Sequence, residues 1–456
     1  MSVTTKARKL ARRKLDQSSC SNPESRSGSS VTAGCSAHTL LEHNASPTTL
    51  LVSPLSSAYH LENLAINYFF SNYVLSCEGS VGHLGYLHIL RMRGFYSPAL
   101  TTALLAVGTA GLASATYSQE LQVDAKRKYC SALSHVNAAL RNPVMATQDE
   151  TMAAIMLLGL YEVVTCTGQK SLESWNSHIY GALALVELRG KQQFESEVGL
   201  QQFLYLRTQL TIACVQRSER VPSLLQKLDQ EAEPFKSESQ VFTCRLGNIT
   251  ANLCDVRAAM HSRAYSDALR LMVTCIDIKN ELQTWASNMS SRIECSIENL
   301  ECISEDAYEG RCHVYKSLWS AWLWNCYRGV NIMIHRTILS LMRPLILNLE
   351  LAESTVLSSQ YHESITELHQ SASDILASVH FHLRTQGPDK SSPQVIGGLF
   401  IIWGLYIAAR TDTSVAKNWA ISRLQHVTQT TGIQQASALA KVLEKKNVLL
   451  ETLGNI

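Results

Sequence analysis

Residues Ser171–Gly190 read SLESWNSHIYGALALVELRG, and this stretch decides the fold class. Trp175, His178, Ile179, Ala182, Leu185, Val186 and Arg189 recur at the spacing of adjacent helical turns, so a helix lines them on one stripe. Ser171 is placed to be the N-cap, Glu173 suits a first turn, and Gly190 follows the last stripe residue as a C-terminal stop. The stripe opens with an indole and an imidazole and closes with a guanidinium, in line with its apolar seam. Such polar heads need hydrogen-bond partners when buried.

Outward from this helix the same periodicity continues. Order is expected to begin near Tyr59, where HLENLAINYFFSNYVL carries apolar residues at helical spacing, and helices follow to the end of the chain. Breaks are expected at Arg93 to Pro98, at Asn142 and Pro143, around Gly168, and from Glu233 to Ser239. Two further loops are expected, through the acidic cluster Glu294 to Glu309 and at TQGPDKSSPQ after Leu383. Alternating β-branched patterns are scarce, and no fixed period marks a repeat array. The expected fold class is all-α, an irregular multi-helix domain preceded by a disordered basic and Ser-rich N-terminal segment.

The order W-x-x-H-x-x-G-A-x-x-L-V-x-x-R-G, carried by Trp175, His178, Gly181, Ala182, Leu185, Val186, Arg189 and Gly190, resembles the signature of the fungal-specific transcription factor domain. That helical regulatory domain accompanies fungal binuclear zinc-cluster DNA-binding modules. Further stretches resemble the same family in the same order: YCSALSHVNAAL from Tyr129, DETMAAIMLLGLYE from Asp149, YKSLWSAWLWNCYRGVNIMIHRTIL from Tyr315 and HQSASDILASVHFHL from His369. Gly398 to Arg410 and TGIQQASALAKVLEK resemble its closing helices. The resemblance implies a nuclear regulator of transcription. In such families the targets are often a pathway or a biosynthetic gene cluster, so control of a secondary-metabolite cluster is the family-level expectation.

Composition agrees with a large buried core: 456 residues, 46% hydrophobic and 17% charged. A formal net charge of +2 gives no whole-chain reason to expect a nucleic-acid or membrane partner. The 13 cysteines contain no C-x-x-C pair, so neighbouring ligands assemble no structural zinc site, and most read as buried free thiols. Gly94 to Gln119 and Ser391 to Ala409 are uncharged enough for a membrane check, but Thr, Ser, Gly and Pro dilute them. Both read as buried core helices, and no membrane partner is expected.

The first residues form a basic run of Lys6, Arg8, Lys9, Arg12, Arg13 and Lys14, suited to nuclear import or phosphate contact, or else to a solvated tail. Gln17 to about Ser57 is rich in Ser, Thr, Pro and Gly and is expected to be a disordered linker. The expected division is therefore a tail over 1–58 and a helical regulatory domain over 59–456.

No catalytic, cofactor-binding or metal residue is assigned, because no G-x-S-x-G elbow, H-E-x-x-H helix or Gly-rich phosphate loop occurs. His380 and His382, two apart, fall on different helix faces. His178 is expected to donate to a backbone carbonyl or a neighbouring helix and to lock Trp175, and Arg189 to cap or bridge a helix C-terminus. A helix from about Val314 to Ile346 stacks Tyr315, Trp319, Trp322 and Cys326 on one stripe, with Trp324, Tyr327 and Arg328 beside it. Read first as core, this indole-rich stripe can also line a ligand pocket, with Arg328, His335 and Arg336 following.

The chain departs from the family pattern before Cys77, where only Cys20 and Cys35 stand in place of the paired cysteines of a zinc cluster. Three explanations are open: a regulator working through a DNA-bound partner, a factor whose first exon is lost from the predicted gene, or a helical domain reused elsewhere. The expected partners are proteins of the transcription machinery or a DNA-bound regulator, with a homo- or heterodimer open. No sequence-specific DNA contact is expected from this chain alone. The competing reading is a cytoplasmic helical scaffold or small-molecule-binding protein, and an enzyme with scattered catalytic residues stands third.

Overall fold

The structure, a computed structural model, describes residues 54–75, 83–94, 97–166, 168–261, 268–289, 298–301, 307–346, 355–384, 395–411 and 414–453. The basic run, the linker up to residue 53 and the TQGPDKSSPQ loop lie outside the described residues. Helix α1, Pro54–Tyr73, begins before Tyr59, and the elements after Leu64 form one compact unit, described below.

In this unit, α2 (Tyr86–Met92) leads to α3 (Pro98–Thr116). The Ser97 hydroxyl accepts from the Leu100 N–H at 3.2 Å, and Pro98 occupies the first turn, where no donor is needed. Ser118 caps α4 (Gln119–Arg141) in the same way. Asn142 then caps the single turn α5 (Pro143–Ala146), its Oδ1 accepting from the Val144 N–H at 3.0 Å, so the Asn-Pro break is a helix start. α6 (Asp149–Val164) packs with α4 against α3. By length and composition α3 could cross a membrane, and 67% of its apolar window is buried inside this fold.

The motif helix, α7, spans Gln169–Arg189. Its start corrects the sequence reading: Gly168, with φ +136°, turns the chain into the helix, and Ser171 is a buried first-turn residue whose hydroxyl bonds Glu162. At the other end Gly190 has φ +67°, and the buried Gln193 amide donates to the carbonyls of Val186 and Gly190 at 2.8 and 2.6 Å, satisfying groups the helix end leaves open.

There follow α8 (Glu197–Arg217), α9 (Ser223–Ala232), α10 (Glu238–His261) and α11 (Ala268–Ser287). The acidic segment expected as a loop instead contains strand β1 (Glu298–Glu301), which pairs antiparallel with β2 (Arg311–Val314) in a two-stranded ribbon. Glu309 and Gly310, at φ +53° and +72°, turn the chain into β2 with a Tyr308 to Arg311 hydrogen bond, the geometry of a type I′ turn. Val314 therefore belongs to β2, and the long helix, α12 (Leu318–Ile346), starts later than expected, where the Ser317 hydroxyl accepts from the Ser320 N–H. The chain closes with α13 (Thr355–Ala377), α14 (Val379–Leu383), α15 (Val395–Ala408), α16 (Ser414–Thr431) and α17 (Gln434–Leu453).

Two main hydrophobic clusters result. The larger joins α3, α6, α7 and α8 with α13 and α15 to α17; the second is built by α10, α11 and α12 around Ile249, Leu282 and Ile334.

Candidate functional site

Glycine at position 159 lets α7 lie close on α6. A Cβ added there would meet the Trp175 ring at 3.5 Å and the Cβ of His178 at 3.7 Å. Trp175 and His178 are both buried by this contact. Across the groove, on α4, Tyr129 donates from its hydroxyl to Glu162 Oε1 at 2.6 Å and lies 3.1 Å from His178 Nε2. With the phenol proton committed to Glu162, the neutral imidazole donates from Nε2 to the phenol oxygen. Burial pulls the His178 pKa down to about 4, so the ring is neutral at pH 7. The same desolvation raises the Glu162 carboxyl, while its bonds to Tyr129 and Ser171 oppose the rise.

Arg189 closes the other end of the stripe. Its guanidinium bridges Asp149 in the first turn of α6 and Gln202 Oε1 on α8, and Gln202 in turn donates to the Asp149 carbonyl at 2.8 Å. Burial lowers the guanidinium pKa, with Asp149 opposing. Three helices are locked at one point by charge-assisted bonds. Gly181, by contrast, meets nothing within 4 Å of an added Cβ, so packing gives no reason for its glycine.

Between the two clusters lies a cavity of about 990 Å³. One side is walled by α6, α7, α8, α15 and α17, the other by α10 and α12. The long helix divides its indoles: Trp319 and Trp322, with centroids 4.5 Å apart, line the cavity, while Trp324 packs at the edge of the second cluster. Trp403 and Tyr406 from α15 and Tyr205 from α8 add ring surface. Sequence spacing singled out the stripe but not the cavity, which is assembled from helices far apart in the chain.

Arg328, flagged as a pocket residue, instead centres a buried polar network. It donates to Tyr315 Oη at 2.5 Å and Asn325 Oδ1 at 3.0 Å, and lies 3.3 Å from His313 Nδ1 and 3.8 Å from Asp374. Asn325 donates to Ser378 at 2.8 Å and sits 3.1 Å from His382 Nε2. The network ties β2, α12, α13 and α14 together and leaves no activated nucleophile. His335 is fully buried near the Lys279–Glu363 ion pair, and Arg336 lines the cavity.

Lys6, Arg8, Lys9, Arg12, Arg13 and Lys14 lie outside the described residues. Among the described residues no group of three or more His, Cys, Asp or Glu is placed to hold a metal ion.

An irregular helical domain, pinned by the Trp175 to Arg189 stripe and hollow between its two clusters, is the class that these observations define. The family model described as "Fungal specific transcription factor domain" matches residues 52–237, which run from the start of α1 to the start of α10. Transcription factor dbaG of Emericella nidulans is 24% identical over 418 residues, covering 84% of this chain and 91% of that protein. No solved structure matches the chain. Residues 52–237 thus match the fungal specific transcription factor domain family, and the chain is similar along most of its length to a fungal transcription factor.

Proposed function

We propose that the protein works in the nucleus as a regulator of a pathway or of a secondary-metabolite gene cluster, acting on transcription through protein contacts. The observation that carries this reading is the family match over α1 to α9, joined to a transcription factor similar along 84% of the chain. For these 456 residues, which hold no C-x-x-C pair, contact through partners is the reading the helical domain itself supports. The basic run from Lys6 to Lys14 supplies the charge for import or for phosphate contact. Partners are then proteins of the transcription machinery, a DNA-bound regulator or a second copy of the chain.

Imaging a tagged full chain together with transcript profiling of a deletion strain tests the proposal. Nuclear accumulation and loss of a co-regulated set of transcripts are expected. Uniform nuclear exclusion with an unchanged transcript profile would leave a cytoplasmic scaffold as the better reading.

A further inference from the structure

We propose that the cavity between the two clusters binds an uncharged, flat polycyclic molecule that lies along a run of aromatic rings and bonds through one hydroxyl or carbonyl to His83. The inference goes beyond the regulatory reading and is tested on purified protein, so nuclear exclusion of the chain would not touch it.

The run is assembled from distant parts of the chain. On α12, Trp319 and Trp322 have ring centroids 4.5 Å apart, and Trp322 lies 5.8 Å from Phe400 on α15. Phe400 in turn lies 5.4 Å from His83, just ahead of α2, and His83 lies 5.3 Å from Tyr205 on α8. All five residues line the cavity. This spacing offers fused rings one aromatic partner after another, and each such pair is worth more than the area it covers. Protein interiors are otherwise close-packed, whereas this space, about 990 Å³, is at the upper end for sites that enclose drug-sized molecules.

One polar atom in the run lacks a partner. His83 is nine-tenths buried between the rings of Tyr205 and Phe400, and its Nε2 makes no hydrogen bond. A buried nitrogen left unpaired is costly, and a ligand group that reaches it removes the cost. Burial pulls the imidazole pKa down to about 3, so the ring is neutral and Nε2 accepts from a hydroxyl or donates to a carbonyl according to its tautomer.

The cations of the wall already have partners, which favours an uncharged occupant. Arg207 pairs with Asp229 at 2.9 Å and Arg217 with Glu219 at 2.6 Å. Arg257 donates to Ser218 Oγ at 2.9 Å, Arg410 lies over the Tyr406 ring at 5.5 Å, and Arg336 is engaged as well. A ligand anion would give up its water for guanidiniums committed elsewhere.

The test uses hydroxypyrene, pyrene and pyrenesulfonate, three fluorescent probes sharing one ring system, titrated into the purified full chain at neutral pH. Hydroxypyrene should bind saturably at one site, about fivefold or more tighter than pyrene, which has no group for His83, and about tenfold or more tighter than the sulfonate. His83→Phe, which keeps a ring between Tyr205 and Phe400, should erase the preference for the hydroxyl and leave pyrene nearly unchanged. Trp322→Leu should weaken hydroxypyrene and pyrene alike, by about fivefold, and Tyr361→Leu, which removes an exposed ring on α13, should change neither. If one cavity variant does not fold, the other and the comparison of probes on the parent chain still decide. Equal affinity for hydroxypyrene and pyrene, unsaturable binding, tighter binding of the sulfonate, or a hydroxyl preference that survives His83→Phe would overturn the assignment.

Discussion

Replacing Trp175 by alanine tests the packing of the motif helix most severely. The indole is 4% exposed and stands over Gly159, inside the larger cluster. Removing about 200 Å² of buried surface at about 25 cal/mol/Å² gives about 5 kcal/mol. That figure is an upper bound, since unfolded chains already bury part of this area. One edge of the ring also faces the cavity, so the deletion enlarges an existing space instead of opening a closed void, and the expected loss is about 3 kcal/mol. With a urea slope of about 3 kcal/mol/M, the midpoint should move by about 1 M. Helical circular dichroism followed through a urea titration reads this directly, since it does not depend on the indole's own fluorescence. Trp175→Phe should recover more than half of the loss. Coincident midpoints for Trp175→Ala and the parent would show that the indole contributes nothing to the core, and the organising role given to α7 would fall.

Further outcomes follow from the same contacts. His178 is held neutral, at a pKa of about 4 against an ordinary value near 6.5, so as pH falls below 6.5 the unfolded chain takes up a proton that the folded chain refuses. Its contribution, about 3 kcal/mol, is fully present above pH 6.5 and is lost as pH falls through about 4. Stability measured across that window should fall less steeply for His178→Asn than for the parent. Arg328→Met should cost about 3 kcal/mol by stranding Asp374, Asn325 and the Tyr315 hydroxyl, a loss to be read as a lower urea midpoint; an unchanged midpoint would mean the network is solvated. Gly181→Ala should leave stability unchanged or raise it by about 0.5–1 kcal/mol, despite the glycine's place in the family motif; a loss on thermal melting would show a contact beyond this chain's own packing.

Local signals in the sequence were enough for the helices but not for what the helices enclose. The stripe from Trp175 to Arg189 and the Gly190 stop rest on residues within a turn or two of one another and appear where the periodicity puts them, while the breaks read at Arg93 to Pro98 and at Asn142-Pro143 are where helices start. Ser171 misled because a good capping residue stood near a better turn residue, Gly168, and burial next to Glu162 used its hydroxyl differently. The ribbon at β1 and β2 is not legible because acidic residues conceal its first strand, residues 302–310 separate the two strands, and the Glu-Gly turn directly before β2 is a weaker signal than Asn-Gly. Trp319, Trp322 and Trp324 lie within two turns of one helix, yet two line a cavity and one joins a core. That partition depends on α10 and α15, which no spacing within α12 encodes.

The proposed division of labour between this chain and a DNA-bound partner is tested most directly by anisotropy titration of the purified chain. It should be run against promoter fragments and scrambled controls across a salt series. A cationic run can offer phosphate contacts without reading bases, so binding should be weak and indifferent to sequence. It should fade near physiological salt and vanish when residues 1–15 are deleted. Tight binding at physiological salt that separates one promoter from its scramble would contradict the account, because it would place a base-reading surface on the helical domain itself.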